Sequence, residues 1–251
     1  MKQSIWGLLA IMIALLPTAS VAAEKPVSIV LVHGAFVDAS GWQSVYNMLS
    51  ADGYEVLVVQ NPTITLDGDV AATRKVIAGA THPVVLVGHS YGGAVITEAG
   101  LDAKVRDLVY IAAFAPEAGE SVFDLASKPH PGEEAAPLLP PSDGFLLVDP
   151  AKFPTSFAAD VDTATTRFMA AAQVPWGLKA VQTKISSPAW KQKPSYFMVT
   201  TQDRMVPPSE QRAMAARAGS KVVEIESSHA VILSHPKSVA DFITSAAVAT
   251  K

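Results

Sequence analysis

Apolar residues in this chain occur as short β-branched runs that alternate with segments of helical periodicity. The runs lie at 27–32, 54–59, 84–88, 107–112, 195–200 and 221–226. The helical patterns lie at 42–50, 70–80, 93–100, 208–218 and 236–247. Most runs are continuously apolar, which is typical of parallel strands covered on both faces. The pattern predicts an α/β fold, with a mostly parallel sheet of about six strands flanked by helices.

One stretch interrupts this alternation. Residues 115–154 are rich in proline and include the sequence KPHPGEEAAPLLPPSDG. Because apolar segments resume on both sides, we interpret the stretch as the start of an insertion and not as a linker between domains. The 251 residues of the chain are about the size of one large domain, which can bury a single substantial core.

The first 23 residues have the pattern of a secretory signal peptide. A cationic Lys2 precedes an apolar run at 5–16, which is followed by Pro17 and small residues up to Ala23. The run is too short to span a bilayer stably, although an uncleaved membrane anchor is the alternative. We predict cleavage after Ala22 or Ala23, which leaves a domain at 24–251 that is periplasmic or secreted and has no stable membrane anchor.

Charge and cysteine content exclude several classes of function. The chain carries 19 Lys and Arg against 23 Asp and Glu, a net charge of −4, without a basic cluster. This argues against a nucleic-acid or anionic-membrane partner. The absence of cysteine excludes a disulfide framework and a lipid-modified cysteine. Without histidine pairs at metal spacing or a glycine-rich phosphate motif, the sequence predicts no metal and no organic cofactor.

The third apolar run leads directly into GHSYG, with Ser90 at its centre. A G-x-S-x-G sequence between a strand and a helix is typical of a nucleophile elbow, which holds the serine in a strained turn at the sheet edge. Gly88 and Gly92 fit because strand and helix approach too closely there for a side chain. Ser90 is therefore the candidate nucleophile, and an ordinary turn with a capping serine is the alternative.

A serine hydroxyl needs a base, and the base needs an orienting acid, which in this architecture occur in the order serine, acid, histidine. His229 follows the last strand by three residues and is the candidate base. His235 is the alternative, although a surface or capping role suits it better. Asp203 follows the fifth strand by three residues and is the candidate acid, whereas Asp149 in the insertion is interpreted as a turn residue.

Two backbone amides are candidate donors for an oxyanion, whose stabilisation is usually a large electrostatic effect. One is the N–H of Tyr91, directly after the nucleophile. The other is the N–H of Ala35 in the loop LVHGAF after the first strand, where Gly34 permits a tight turn. We interpret His33 as a structural hydrogen bonder of that loop, with a second catalytic histidine as the alternative, and His89 as a packing residue.

Five features together resemble the α/β-hydrolase superfamily: VLVHGAF, Trp42, GHSYGGAV, TTQDRMVPP and SSHAVILSHP. Within it the chain is most similar to small bacterial esterase-like proteins related to plant methylesterases and hydroxynitrile lyases. The resemblance runs over about 27–247 and implies an α/β-hydrolase fold with a helical cap insertion at about 115–193. It also implies a triad of Ser90, Asp203 and His229, and oxyanion donors at Ala35 and Tyr91.

The cap departs from the family, because its proline-rich start does not align with the plant enzymes. Pocket residues therefore cannot be transferred. Candidates for an apolar wall are the aromatic and methionine side chains in or next to the cap: Phe114, Phe123, Phe168, Met169 and Trp176. Such residues at helical spacing also suit the cap's own core.

These features predict an exported serine esterase that cleaves esters of small, largely apolar molecules through an acyl-enzyme. A C–C lyase on the same triad and a non-catalytic binding protein with this fold are the alternatives. In the related lyases a lysine beside the histidine stabilises the departing anion, whereas Ala230 follows His229 here. Three cap cations, which the sequence does not place, keep the lyase open: Lys152, Arg167 and Lys179. A binding protein has no need for the whole set of catalytic signals.

Overall fold

The computed structural model describes residues 26–249, so the predicted signal peptide at 1–23 lies outside the described residues. The strands are β1 Ser28–Val32, β2 Glu55–Val59, β3 Val84–His89, β4 Val105–Ile111, β5 Phe145–Leu146, β6 Trp176–Gly177, β7 Ser195–Thr200 and β8 Lys221–Ile225. The α-helices are α1 Gln43–Ala51, α2 Leu66–Gly79, α3 Gly92–Ala99, α4 Val122–Ala126, α5 Phe153–Ser156, α6 Thr163–Ala171, α7 Leu178–Gln182, α8 Pro208–Arg217, α9 Val231–Ser234 and α10 Pro236–Ala249.

Six strands form one parallel sheet in the order β2-β1-β3-β4-β7-β8. The register aligns the strand ends, since Val32 of β1 lies beside Gly88 of β3 and Thr200 of β7 lies beside Ile225 of β8. The loops after these four strands therefore meet at one carboxyl edge. The predicted α/β fold with a parallel six-stranded sheet is confirmed.

Apolar layers cover both faces of the sheet. Along β1, Ile29 and Leu31 face a layer that includes residues of α1 and α10, whereas Val30 and Val32 face a layer that includes residues of α2, α3 and α8. Successive side chains of a strand point to opposite faces. This double covering explains why the inner strands are largely apolar along their length.

Strand β8 differs from that pattern. The sequence run at 221–226 resembles the other strands, yet Val222 and Val223 are 46% and 41% exposed. β8 is the last strand of the sheet and pairs with β7 alone. An edge position, which the run itself does not reveal, leaves these side chains in contact with solvent.

Helix α2 begins at Leu66 and not at residue 70, as the periodicity predicts. The Thr65 side chain accepts a hydrogen bond from Gly68 N–H at 3.1 Å and so satisfies an amide of the first turn. A capping threonine can therefore extend a helix beyond its apolar stripe.

Between β4 and β7 the chain leaves the sheet and forms the cap, with helices α4 to α7 and the antiparallel pair β5-β6. The helix-like stretch at 163–182 divides into α6 and α7, because Pro175 cannot continue a helix. A Cβ on Gly177 would lie 2.2 Å from the Ile64 carbonyl oxygen. The β5-β6 pair therefore packs directly on the loop before α2. Among the described residues, no helix has the length and apolar character to cross a membrane.

Candidate active site

Ser90 occupies the sharp turn between β3 and α3. Its φ of 56° lies in the left-handed region, which is costly for a residue with a Cβ. Hydrogen bonds hold this conformation: the Ser90 N–H donates to the Ile111 carbonyl at 3.1 Å, and the Ser90 carbonyl accepts from Gly93 N–H at 2.9 Å. The turn presents the hydroxyl at the carboxyl edge of the sheet.

The glycines around Ser90 are required by close approach of backbone to backbone. A Cβ on Gly88 would lie 2.6 Å from the Gly92 carbonyl oxygen, and one on Gly92 would lie 2.6 Å from the Val32 carbonyl oxygen. Both distances are far below a normal van der Waals contact, so neither position has room for a side chain, as the sequence predicts. Gly93 is equally constrained, since its Cβ would lie 2.3 Å from the Phe114 carbonyl oxygen.

The structure brings Ser90, His229 and Asp203 together. His229 Nε2 lies 2.8 Å from Ser90 Oγ, and its Nδ1 lies 2.8 Å from Asp203 Oδ2. The side chains of His229 and Asp203 are almost completely buried. Because the carboxylate accepts the proton of Nδ1, Nε2 is left to accept the proton of Ser90. All three residues are those that the sequence selects.

Asp203 is held by four donors besides His229. Its Oδ1 accepts the backbone N–H groups of Met205 and Val206 at 2.8 and 2.9 Å. Its Oδ2 accepts Thr200 Oγ1–H at 2.8 Å and Gln211 Nε2–H at 2.9 Å. Hydrogen bonds from this many donors hold the carboxylate in one orientation. No motif in the sequence indicates Thr200 or Gln211. Gln211 lies in α8, the helix that follows the loop of Asp203.

The alternative acid and base lie elsewhere. His235 precedes α10, where its carbonyl accepts the Val239 N–H at 3.1 Å, and its side chain is over one-third exposed. Asp149 lies in the cap, where its carboxylate accepts the Ala151 N–H at 2.9 Å in a local turn. Neither side chain contacts Ser90 or His229.

Two further histidines adjoin the site in neutral form. His33 Nδ1–H donates to the Gly34 carbonyl at 2.8 Å, while its Nε2 accepts the Asn61 N–H at 2.8 Å. His89 Nε2–H donates to the His229 carbonyl at 2.8 Å. Burial lowers the pKa of His33, and burial together with the nearby His229 lowers the pKa of His89 to about 3. Both rings therefore organise backbone and carry no charge at neutral pH.

The loop after β1 passes close to the serine. A Cβ on Gly34 would lie 3.1 Å from Ser90 Oγ, which places the next residue, Ala35, at the site. Within residues 26–249 neither the Ala35 N–H nor the Tyr91 N–H donates a hydrogen bond. Two amides without an acceptor beside a serine hydroxyl form a chemically suitable place for an oxyanion.

An apolar cleft lies between the cap helix α6 and the loop after β1. Its cavity volume is about 190 Å³. It is lined by Phe36, Val37, Asp38, Ser40, Gly41, Thr165, Phe168, Met169, Ala172 and Leu233. A second cavity of about 20 Å³ shares four of these residues and also touches His89, Phe157 and Ala230, close to the serine and histidine. The two cavities are adjacent, and the smaller one borders His89, which precedes Ser90, and Phe157, whose ring packs on His229.

The five predicted wall residues do not all line this cleft. Phe168 and Met169 do, whereas Trp176 is buried against Phe36 and Tyr91. Phe114 is buried in the core and Phe123 is 51% exposed, and neither borders either cavity. The sequence does not indicate the wall residues outside the cap, such as Val37 in the loop after β1 and Leu233 in α9, because no motif or periodicity marks a residue that lines a pocket.

Charge near the cleft is limited. Asp38 is the one charged residue among the lining residues of the two cavities, as far as residues 26–249 show. Arg167 and Lys152 border other surface hollows of the cap, and Lys237 pairs with Asp241 on α10 at 2.7 Å. The described part of the chain also contains no group of His, Cys, Asp or Glu that could hold a metal ion.

Comparison with known sequences finds similarity to hydrolases. The sequence model of the Alpha/beta hydrolase family matches residues 29–242. The chain is 29% identical over 245 residues to the alpha/beta hydrolase nvfD of Aspergillus novofumigatus, covering 89% of this chain and 97% of that protein. It is 35% identical over 121 residues to the carbendazim hydrolyzing esterase of a Nocardioides species, covering 43% of this chain and 50% of the esterase.

Solved structures share the fold. A pyrethroid hydrolase from Sphingobium faniae superposes with a TM-score of 0.77 at 22% identity, covering 89% of this chain and 98% of that one. A methylesterase from Arabidopsis superposes with a TM-score of 0.71 at 21% identity, covering 87% and 97%. With the sequence matches, these structures confirm the resemblance that the motifs predict.

Proposed function

This chain belongs to the alpha/beta hydrolase family, and we propose that it is a serine esterase acting on small, largely apolar carboxylic esters. The observation that carries the proposal is the continuous hydrogen-bond chain from Ser90 Oγ through His229 to Asp203. The esterase and hydrolase relatives support a hydrolytic enzyme. The serine mechanism and the substrate preference are the parts that we add.

In the proposed mechanism Ser90 Oγ attacks the ester carbonyl carbon while His229 Nε2 takes the hydroxyl proton. The negative charge that forms on the carbonyl oxygen is accepted by the amides of Ala35 and Tyr91. His229 then returns the proton to the departing alcohol, leaving an acyl group on Ser90. A water molecule activated by the same imidazole hydrolyses that acyl-enzyme. Asp203 keeps the imidazole in the tautomer that both steps need.

The cleft supports an apolar substrate group of modest size. Its volume of about 190 Å³ and its aliphatic and aromatic lining suit a short acyl chain or one aromatic ring. Ser90 itself is 7% exposed and the inner cavity holds about 20 Å³, roughly the space of one water molecule. Because neither Ser90 nor His229 lines either cavity, we propose that cleft-lining side chains move when a substrate binds.

Export is part of the proposal and rests on the sequence of residues 1–23. Fractionation of a bacterial host that expresses the full chain tests it. We expect the activity in the periplasm or medium, carried by a chain that starts near Glu24. Activity that remains with the cytoplasmic fraction on an unshortened chain would contradict export.

A panel of p-nitrophenyl esters of increasing acyl length, with mandelonitrile as a competing substrate, tests the reaction class. We expect ester hydrolysis that favours short apolar acyl groups and that is lost in Ser90→Ala. We expect no comparable cyanohydrin cleavage, because no lysine or arginine among the described residues lines either cavity. Faster cleavage of mandelonitrile than of every ester would make the protein a lyase.

A further inference from the structure

A carboxylate of the cap contacts the loop that carries His229. Asp160 lies between α5 and α6, and its Oδ2 accepts Ser227 Oγ–H at 2.8 Å and the Ser228 N–H at 3.0 Å. Its Oδ1 accepts Ser228 Oγ–H. Three hydrogen bonds thus join one cap side chain to the two residues directly before His229.

The same cap segment also holds His229 from other sides. Ser228 Oγ accepts the N–H of Ala230 at 3.2 Å, so the link to Asp160 extends to the residue after His229. The ring of Phe157 packs edge-on against the imidazole, with ring centroids 4.8 Å apart and an interplanar angle of 84°. Residues 157–160 therefore restrain both the backbone and the ring of His229.

Asp160 accepts these hydrogen bonds as an anion. Burial raises its pKa, but the hydrogen bonds from Ser228 and Ser227 outweigh burial and hold the pKa below its usual range. Hydrogen bonds to a charged acceptor are shorter and stronger than neutral ones. His235, whose Nδ1 lies 3.7 Å from Oδ2, is the nearest cationic group when it is protonated.

We propose that Asp160 is a positioning residue, which fixes from the cap the loop that carries His229 and so keeps Nε2 within reach of Ser90 Oγ. The inference rests on the proposed function, because it assigns His229 the role of base. A displacement of about 1 Å in a catalytic group can cost about a hundredfold in rate. Loss of the carboxylate should therefore lower kcat while binding of substrate in the α6 cleft is retained.

The test compares Asp160→Ala and Asp160→Asn with Asp162→Ala as the matched control. Asp162 lies two residues away and caps α6 by accepting the Thr165 N–H at 3.0 Å, without contact to the His229 loop. We expect Asp160→Ala to lower kcat by about 10- to 100-fold, the loss typical of removing a partner that orients a functional histidine. KM should change little. Asp160→Asn, which keeps one acceptor oxygen, should recover part of kcat, and Asp162→Ala should loosen the cap without this loss.

A second readout does not depend on turnover. The proton between His229 Nδ1 and Asp203 should give a downfield proton NMR resonance in the wild type, which broadens or shifts in Asp160→Ala and not in Asp162→Ala. If Asp160→Ala does not fold, Ser228→Ala removes one of the three hydrogen bonds to Asp160 and the acceptor of the Ala230 N–H, and should show both effects to a smaller extent. Wild-type kcat and an unchanged resonance in a folded Asp160→Ala or Ser228→Ala protein would overturn the inference. A wild type without esterase activity would overturn the proposed function, and the resonance would still decide the role of Asp160.

Discussion

The carboxyl edge of the sheet and the cap constrain their residues in different ways. At the edge, a Cβ on Gly88, Gly92 or Gly93 would lie within 2.6 Å of a backbone oxygen, so the backbone itself dictates glycine. Within the cap at 115–193, Gly177 also lies against a backbone oxygen, but Gly119, Gly132 and Gly144 have positive φ values and nothing within 4 Å of a Cβ. Backbone packing constrains all three glycines around Ser90, which leaves a sequence motif, whereas in the cap it constrains one glycine and leaves no motif.

The residues proposed for catalysis therefore lie at the sheet edge, whereas the residues that shape the substrate cleft lie on the cap and on the loop after β1. Ser90, Asp203 and His229 follow strands whose ends are aligned by register, so their meeting point is a property of the sheet. The cleft is formed where α6 meets the loop after β1, and its width depends on side chains such as Phe168 and Met169. We therefore expect substitutions of the triad to abolish turnover and substitutions of cleft-lining residues to redistribute it among substrates.

The largest expected effect is that of Ser90→Ala. Without Oγ there is no nucleophile for the acyl-enzyme route, so kcat should fall by up to about a millionfold, as in another serine-triad enzyme. Alanine keeps the Cβ and the backbone hydrogen bonds of the turn, so the unfolding temperature should stay close to that of the wild type. Steady-state kinetics and thermal unfolding check both parts. Retention of a tenth of the activity would contradict the role of Ser90.

Asp203→Asn should have the next largest effect. An amide cannot replace the carboxylate acceptor without presenting an N–H to one of the present donors, which favours the wrong tautomer of His229. A loss of about ten-thousandfold in kcat is expected from the equivalent change in a serine protease. Asp149→Asn, in a cap turn, is the matched control and should keep wild-type kinetics. A larger loss in the control than in Asp203→Asn would mean that the acid is assigned wrongly.

A substitution in the cleft should have a smaller effect, which depends on the acyl group of the ester. Phe168→Ala removes a ring that lines the cleft, and lost burial of about 1–2 kcal/mol corresponds to about tenfold in kcat/KM for an ester with a bulky acyl group. The p-nitrophenyl acetate reaction should change much less. Phe123→Ala, an exposed aromatic residue on α4 away from both cavities, is the control. Equal losses for both esters, or for both variants, would contradict the cleft as the acyl site.

The last prediction concerns stability, with no effect on turnover. The pKa of His89 is about 3 in the folded protein against 6.5 as its ordinary value, because burial disfavours the charged ring. Between these values the unfolded state binds more protons, so the contribution of this residue to stability falls as pH falls, by up to about 1.4 kcal/mol per pH unit. His89→Gln should lack this contribution. Urea unfolding at pH 4 and pH 6.5 checks it, and identical pH dependence in both proteins would count against a buried neutral His89.

The sequence is most informative where position along the chain implies position in space. Ser90, Asp203 and His229 each follow a strand by one to four residues, so a parallel sheet predicts that they meet. Gln211 and Asp160 carry no such signal, because their contacts depend on how α8 and the cap pack. The hydrophobic pattern did not predict the exposure of β8 or the start of α2 at Leu66, and the two reasons are related. An edge position and a threonine cap are set by neighbours that a hydrophobic pattern does not contain.

Labelling with a serine-directed phosphonate tests the central claim most directly. The reagent forms a stable adduct only on a serine that its neighbours activate, so mass spectrometry of the digested protein should find one phosphonyl group on the peptide that contains Ser90. Esterase activity should fall in proportion to that labelling, and Ser90→Ala should take up no label. Ester hydrolysis that continues at full rate in protein fully labelled on Ser90 would contradict the account.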